Sequence, residues 1–393
     1  MLRRITSLLV STCLTLSACA TPDHGVREAG QAPVDLGSAE ASLRYQYDEM
    51  EVRVRRSGMR NDDPALNEYV RNLGCSISAE FCPELRFYII ETSEFNAAMA
   101  PNGMMLINTG LLLRAETEAE LAFVVAHEFG HYFENHMTER LAASQSATRG
   151  SLISAGLAFT GVGALLALGY MAGAAANVMS FSRDQEREAD MFAANYANTN
   201  GYNSAAGVRA WENLRDEIAA SSNERTRRRL TRESAFATHP LTEERITYLR
   251  ETARAEAGAG EDRAAYRAII RPHLRRWLEM ENASRDPGST LVLLDRLAGQ
   301  GTDIGIIEYA RGEVYRVRNA EGDVALALAS YTLATQQADA PAEAWRQIGV
   351  LQRRQGDNAA AIAAYEHYLA LAPNAPDLQL INSQLGALRG DGT

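Results

Sequence analysis

His127, Glu128 and His131 form an H-E-x-x-H segment. On an α-helix, residues four positions apart lie about 40° apart around the axis, so both imidazoles face the same side. Two such side chains can hold one zinc ion, and the glutamate can reach a zinc-bound water as general base. The alternative is a helix that carries two histidines and no metal. A zinc site also needs a third protein ligand from elsewhere in the chain.

The residues before the histidines predict the helix that must carry them. Thr117 and Glu120 form the T-x-x-E pattern of a capping box, which marks the start of a helix. An apolar run over residues 121–126 follows and leads directly into His127. Both histidines are therefore expected well inside a buried helix.

A third ligand is predicted on a second helix that follows a predicted N-cap at Ser182. Glu186 and Asp190 are four residues apart, so their side chains share one face of that helix. Glu186 can then bind the metal, while Asp190 accepts the spare N–H of a zinc-bound imidazole and fixes its orientation. Glu188 is an alternative to Glu186 as the third ligand. The segment could also be an ordinary acidic helix face that is exposed to solvent and binds no metal.

The two segments together resemble the HtpX-like, gluzincin-type zinc metalloendopeptidases of peptidase family M48. Their approach to the zinc helix and a Thr238-His239-Pro240 segment match the family in the same order. The resemblance covers residues 41–255. It implies one Zn²⁺ per chain, with this ligand set: His127, His131 and Glu186.

The same resemblance implies roles for Glu128, His239 and the strand before the zinc helix. Glu128 would be the general base, and His239 would donate a hydrogen bond to the oxyanion or cap the zinc. The alternative for His239 is a surface histidine before a proline. His136 lies about 140° around the helix from His131, which excludes it from the same metal and indicates a structural role. The strand before the zinc helix would be a sheet edge that pairs with extended substrate, or simply a core strand; its residues are Met104, Met105, Leu106, Ile107 and Asn108.

The N-terminus predicts export. Residues 1–18 have the basic start and apolar stretch of a signal peptide, and they end in a lipobox before Cys19, which would be lipidated. Residues 19–40 would form a flexible tether at the periplasmic face of the outer membrane. Cleavage after Ala20, which gives a soluble periplasmic protein, is the alternative.

The remaining cysteines and the charge agree with an exported protein. Cys75 and Cys82 are predicted to form a disulfide in an oxidising compartment, with two buried thiols as the alternative. The net charge is −11, so the composition gives no indication of nucleic-acid binding.

The expected architecture is an α+β metalloprotease domain at 41–255, a linker helix at 256–273 and tetratricopeptide-like repeats at 274–388. Gly288, Gly322 and Gly356 recur every 34 residues in the repeat region. Stacked helix pairs of this kind form a solenoid that binds polypeptides, although a helical pack that only shields the protease is also possible. Residues 150–182 carry no charge and predict either a helical hairpin beside the site or a membrane-dipping element.

This layout resembles the periplasmic β-barrel assembly-enhancing proteases of the family. It predicts a zinc endopeptidase for unfolded or misassembled envelope proteins, with repeats that recruit substrates, a protein partner or the outer-membrane assembly machinery. The alternative is a chaperone or adaptor of outer-membrane protein assembly with a largely self-inhibited zinc site.

Overall fold

The structure is a computed structural model that describes residues 29, 39–140, 181–231, 239, 243–254 and 258–390. The predicted signal peptide, Cys19 and nearly all of the tether lie outside these residues. Most of the uncharged segment, residues 150–180, also lies outside them. Within the described ranges, no helix has both the length and the apolar character needed to span a bilayer.

Helices make up most of the described chain, and they surround one small sheet. The elements up to residue 140 are α1 (Ala39–Arg56), α2 (Pro64–Ile77), a 3-10 turn (Cys82–Glu84), β1 (Arg86–Ile90), β2 (Ala97–Met99), β3 (Met104–Asn108), α3 (Thr109–Arg114) and α4 (Glu118–Phe133). From residue 181 onwards the elements are α5 (Arg183–Thr199), α6 (Ala205–Ala220), α7 (Glu224–Thr231), α8 (Glu243–Thr252), α9 (Arg263–Ala283), α10 (Pro287–Ala298), α11 (Ile304–Arg318), α12 (Asp323–Thr335), α13 (Glu343–Gln355), α14 (Asn358–Leu371) and α15 (Leu378–Arg389). The predicted α+β class is confirmed for the described residues.

The sheet corrects one prediction. Its strand order is β1-β3-β2, with β3 parallel to β1 and antiparallel to β2. Strand β3 is therefore the central strand, and its backbone groups are occupied on both sides. The prediction that it is a substrate-pairing edge is wrong for these residues: Met104, Met105, Leu106, Ile107 and Asn108. The outer strands are β1 and β2, and β2 packs beside α4.

Helix α4 begins as predicted but with half of the expected capping box. The Thr117 hydroxyl accepts a hydrogen bond from the Glu120 N–H, at 3.3 Å. The Glu120 carboxylate accepts from the Glu116 N–H instead of the Thr117 N–H. Every residue from Ala119 to Phe133 is buried. The zinc-binding motif is thus held in the interior of the domain.

A glycine brings α4 close to α5. A Cβ atom at Gly130 would lie only 2.8 Å from the Cα of Ala189. Because glycine lacks that atom, the two helices can approach until their facing residues share one site. Helix α5 starts with a full capping box between Ser182 and Gln185, which fixes the position of its first turn.

A disulfide joins Cys75 and Cys82, with their Cα atoms 4.9 Å apart. It closes the segment that carries Phe81, a buried residue. The Phe81 ring contacts the rings of Tyr132 and Phe133, at centroid distances of 6.0 and 4.7 Å. The disulfide therefore supports the C-terminal end of α4.

The C-terminal helices do not begin where the sequence suggested. Helix α9 (Arg263–Ala283) runs through the expected boundary between residues 273 and 274. The Tyr266 hydroxyl donates to the Leu112 carbonyl at 2.8 Å, and Trp277 lies in the same apolar core as α4. Helix α9 is therefore part of the protease core rather than a free linker.

The predicted 34-residue register holds for only part of the repeat region. Gly322 and Gly356 both adopt left-handed backbone angles, with φ of 83° and 84°. Gly288 instead lies in helix α10, where a Cβ atom would meet the Ala220 carbonyl at 2.0 Å. Helices α11 and α12 pack as one pair, and α13 and α14 pack as another. The equivalence with Gly288 is therefore wrong.

Candidate metal centre

Four buried side chains converge between α4 and α5. Each offers one ligand atom, and these atoms all lie within 4.8 Å of one another; the side chains are those of His127, His131, Glu186 and His239. The first two come from α4 and Glu186 comes from α5, as the sequence predicted. His239 comes from the segment before α8.

The spacing of these atoms fits a zinc ion. The Nε2 atoms of His127 and His131 are 3.2 Å apart, and each lies 3.5 Å from a Glu186 oxygen. Ligand bonds of about 2.0–2.1 Å place the vertices of a tetrahedron about 3.3–3.4 Å apart. The observed spacings are close to that value, and two imidazoles with one carboxylate are ligands that zinc prefers. The residues present therefore fit the metal.

His239 lies beside the other three candidate ligands. Its Nδ1 atom lies 3.3 Å from His127 Nε2 and 3.0 Å from Glu186 Oε1. The sequence left open whether His239 caps the metal or donates to an oxyanion. Four protein ligands make a closed zinc site, whereas catalytic sites keep one position for water or substrate. If a metal is bound, His239 would be positioned to act as a fourth ligand.

Glu128 lies next to the ligand group and contacts the edge strand. Its Oε1 atom is 3.3 Å from His239 Nε2, and its carboxylate accepts a hydrogen bond from the backbone of Met99 in β2. Burial raises the pKa of Glu128 above its usual value, partly opposed by His239 and His127. The candidate base thus connects the metal site to the sheet edge.

Asp190 lies where the sequence placed it, behind His127. Its Oδ1 atom is 2.9 Å from His127 Nδ1, so the other nitrogen of that ring points toward the ligand group. The Tyr248 hydroxyl also donates to Asp190. This contact with Asp190 orients the imidazole and selects its tautomer.

Arg245 is a residue of the site that sequence reasoning missed. Its guanidinium is buried and lies 2.5 Å from a Glu186 oxygen. It also donates twice to the Asp190 carboxylate, both times at 2.8 Å. Burial disfavours an ionised Glu186, but Arg245, His239 and His131 together outweigh that effect and hold the pKa of Glu186 well below its usual range. No local pattern in helix α8 distinguishes this arginine from a surface residue.

His136 also lies differently from the prediction. Helix α4 ends at Phe133, and Asn135 adopts a left-handed φ of 53°. The chain therefore turns instead of continuing the helix, which invalidates the 140° angle expected between His131 and His136. The two Nδ1 atoms lie 2.9 Å apart, while Glu188 contacts the far side of the His136 ring. Glu188 is thus not a metal ligand.

Two aromatic rings border the site. Phe181 stacks on His131 with a centroid distance of 3.9 Å, and Trp211 lies 6.1 Å from the His127 ring. Burial lowers the pKa of His131 well below its usual value. A neutral imidazole is the form that binds a metal.

Residues 61–253 match peptidase family M48. The chain carries a family M48 zinc metallopeptidase domain. The matched range contains all four residues of the buried ligand group, and zinc is the metal of this family. The resemblance inferred from the sequence motifs is therefore confirmed.

Curated proteins that resemble this M48 chain have related names. A Vibrio cholerae protein whose name describes it as a beta-barrel assembly-enhancing protease is 30% identical over 259 residues. The matched region covers 62% of this chain and 51% of that protein. The beta-barrel assembly-enhancing protease of Escherichia coli is 24% identical over 64% of this chain and 53% of its own length. Metalloprotease YcaL of Escherichia coli is 26% identical over 63% of this chain and 87% of its own length. The chain thus spans about half the length of the two assembly-enhancing proteases.

Proposed function

We propose that this protein is an exported zinc endopeptidase that hydrolyses unfolded or misassembled envelope polypeptides. The observation that carries the proposal is the juxtaposition of Glu128 with the group formed by His127, His131 and Glu186. A metal-binding triad with a carboxylate beside it is the arrangement of zinc peptidases. The names of the two assembly-enhancing relatives support a substrate among envelope proteins.

The residues of the site divide the work of peptide hydrolysis. Bound zinc supplies a Lewis acid and lowers the pKa of a coordinated water to about 7. Glu128 takes the proton from the attacking nucleophile and delivers it to the leaving amine. Asp190 holds His127 in its ligating orientation. Arg245 balances the two carboxylates beside the metal, so that they remain ionised in a buried position.

We assign substrate pairing to β2 instead of β3. The Ala100 N–H donates to Met104 O and the Asn108 N–H to Asn96 O, so the even-numbered residues of this segment face β3. The backbone groups of Ala97 and Met99 then point away from β3, and the Met99 backbone already donates to Glu128. An extended polypeptide would add to that edge by main-chain hydrogen bonds with the groups that remain. Such pairing reads the backbone, which suits substrates that have lost their folded structure.

The C-terminal helices are proposed to recruit substrates or a protein partner. The packed pairs α11–α12 and α13–α14 are the kind of unit that stacks into a tetratricopeptide-like solenoid. Cys19 would anchor the exported chain at the outer membrane as a lipoprotein, or cleavage after Ala20 would leave it soluble in the periplasm. The outer-membrane assembly machinery is the partner that the relatives' names favour.

A second function, that of a chaperone or adaptor with a self-inhibited site, is favoured by His239. With zinc bound, its Nδ1 atom would compete for the position that a catalytic zinc keeps for water. Its Nε2 atom contacts Glu128 as well. Cleavage then requires His239 to leave the metal.

The proposal is tested with the full chain and an unfolded substrate such as casein. Glu128→Gln should bind zinc like the wild type and lose about 10²–10⁴-fold in cleavage rate, because general-base catalysis is removed. Glu134→Gln, which changes a half-buried carboxylate at the end of the same helix, is the matched control and should keep its activity. Cleavage by Glu128→Gln at the wild-type rate would overturn the peptidase mechanism.

His239→Ala separates the two functions. If His239 caps an otherwise competent site, the variant should retain zinc and cleave faster than the wild type. If it takes part in the reaction, cleavage should fall while zinc is retained. A variant with wild-type cleavage would contradict both roles.

A further inference from the structure

The two zinc histidines are held by different kinds of partner. His127 Nδ1 faces the buried carboxylate of Asp190 at 2.9 Å. His131 Nδ1 instead faces another imidazole, that of His136, at 2.9 Å. His136 is only 1% exposed, so no bulk water competes for this contact.

The bonding pattern of His136 can be satisfied in one way. When His131 uses Nε2 as the ligand atom, its Nδ1 carries the proton and is a donor. His136 Nδ1 must then accept, which leaves the proton of a neutral His136 on Nε2. That atom lies 2.9 Å from Glu188 Oε2, an acceptor. Two consecutive hydrogen bonds thus run from the ligand to a surface carboxylate.

We propose that His136 is a positioning residue that orients the metal ligand His131 and that Glu188 in turn fixes the tautomer of His136. The inference rests on the zinc site of the proposed function but concerns metal affinity rather than cleavage. His136 contacts a ligand rather than the metal or the substrate. Loss of His136 should therefore leave the His131 ring less well oriented for the metal and so weaken zinc binding.

The backbone is built to make this contact. Asn135 takes the left-handed conformation at the end of α4, which asparagine tolerates better than most residues. The Thr138 and Glu139 N–H groups both bond to the Asn135 carbonyl, at 2.9 and 3.1 Å, so a new helical segment begins at His136. The break at Asn135 leaves the centroid of the His136 ring 5.0 Å from that of the His131 ring.

The two ligands consequently differ in their connection to solvent. The Asp190 side chain behind His127 is 0% exposed and is paired with buried Arg245. The Glu188 side chain is 61% exposed. A surface substitution at Glu188 should therefore reach the metal through His136, and its effect should be smaller than that of removing His136 itself.

The test measures the zinc dissociation constant of the full chain by competition with a chelating dye. His136→Phe keeps a ring of similar size but removes the acceptor, and should bind zinc about 10–100-fold more weakly. His136→Asn places an amide oxygen near the former Nδ1 position, and should restore most of the affinity. Glu188→Ala should weaken binding less than His136→Phe does. Asp184→Asn, a change of an exposed carboxylate on the same helix, is the control and should bind like the wild type.

Two outcomes would overturn the proposal. One is wild-type zinc affinity in His136→Phe. The other is an equal loss in His136→Phe and His136→Asn, which would mean that the acceptor atom is irrelevant. Whether His136→Phe folds is judged by the urea midpoint of the zinc-free protein. If it fails to fold, the zinc affinity of Glu188→Ala is compared with that of the wild type instead. An unchanged affinity in Glu188→Ala then refutes the proposal. Casein cleavage by Glu128→Gln is a separate readout, so failure of the proposed peptidase mechanism would leave the zinc affinities unaffected.

Discussion

Replacing Arg245 by methionine should destabilise the protein strongly. The guanidinium makes three contacts with two carboxylates, at 2.5 Å to Glu186 and twice at 2.8 Å to Asp190. All three side chains are at most 4% exposed. Arg245→Met would therefore leave two carboxylates buried with no guanidinium to compensate them.

The magnitude follows from burial. Two unit charges about 3 Å apart attract by roughly 5–6 kcal/mol at an effective dielectric constant of about 20, before desolvation is subtracted. Removing one partner from a buried ion pair costs about 3–5 kcal/mol, because the remaining charge stays in the interior. In a domain of this size, such a loss lowers the unfolding temperature by roughly 6–20 °C. The loss should be larger in zinc-free protein, where no cation lies beside Glu186.

The assay is equilibrium urea unfolding of the full chain, with and without zinc. Arg215→Met is the matched control, because Arg215 pairs with exposed Asp216 at 3.0 Å and should change stability by no more than about 1 kcal/mol. Arg245→Lys should fall between the two, since an ammonium keeps the charge but cannot form the fork to Asp190. Stability of Arg245→Met within about 1 kcal/mol of the wild type would refute the assignment of a buried charge network.

Two further substitutions test the supporting structure. Gly130→Ala should cost about 1–3 kcal/mol of stability by overpacking and weaken zinc binding, because its Cβ would lie 2.8 Å from a backbone atom of α5. Gly386→Ala, where the space is open, is the control and should not destabilise the protein. Equal unfolding midpoints for the two variants would contradict the close approach of α4 and α5. Burial raises the pKa of Glu51, but Arg86, with smaller contributions from Tyr88 and Arg55, holds the pKa below its usual value. The stabilisation from Glu51 should be complete above about pH 4.3 and be lost as the pH falls through the lower folded-state pKa. Arg86→Gln should therefore make the acid side of the stability profile less steep, and an unchanged slope in acid unfolding would exclude this pair as a contributor.

The sequence by itself determined the parts of the site that lie within one helix. His127 and His131, like Glu186 and Asp190, are four residues apart, and helical geometry alone places each pair on one face. The capping residue Thr117 and the apolar run after it are local signals too. These features could be predicted because a single turn of helix depends on neighbours in sequence.

Features that depend on contacts between segments far apart in the sequence could not be predicted in this way. Strand β3 was expected at the edge of the sheet, but strand order is decided by how the whole chain packs, and β3 lies between its neighbours. The placement of His136 was predicted wrongly because its angle was calculated for a continuous helix, whereas the turn at Asn135 ends α4.

Arg245 shows the same limit most clearly. In the sequence it is one arginine among many, and its helix has no pattern that points to a metal site. Only the tertiary structure places it against Glu186 and Asp190, more than fifty residues earlier in the chain. Local periodicity therefore determined which side chains could bind the metal, whereas long-range packing decided which charges and hydrogen bonds hold those ligands in place.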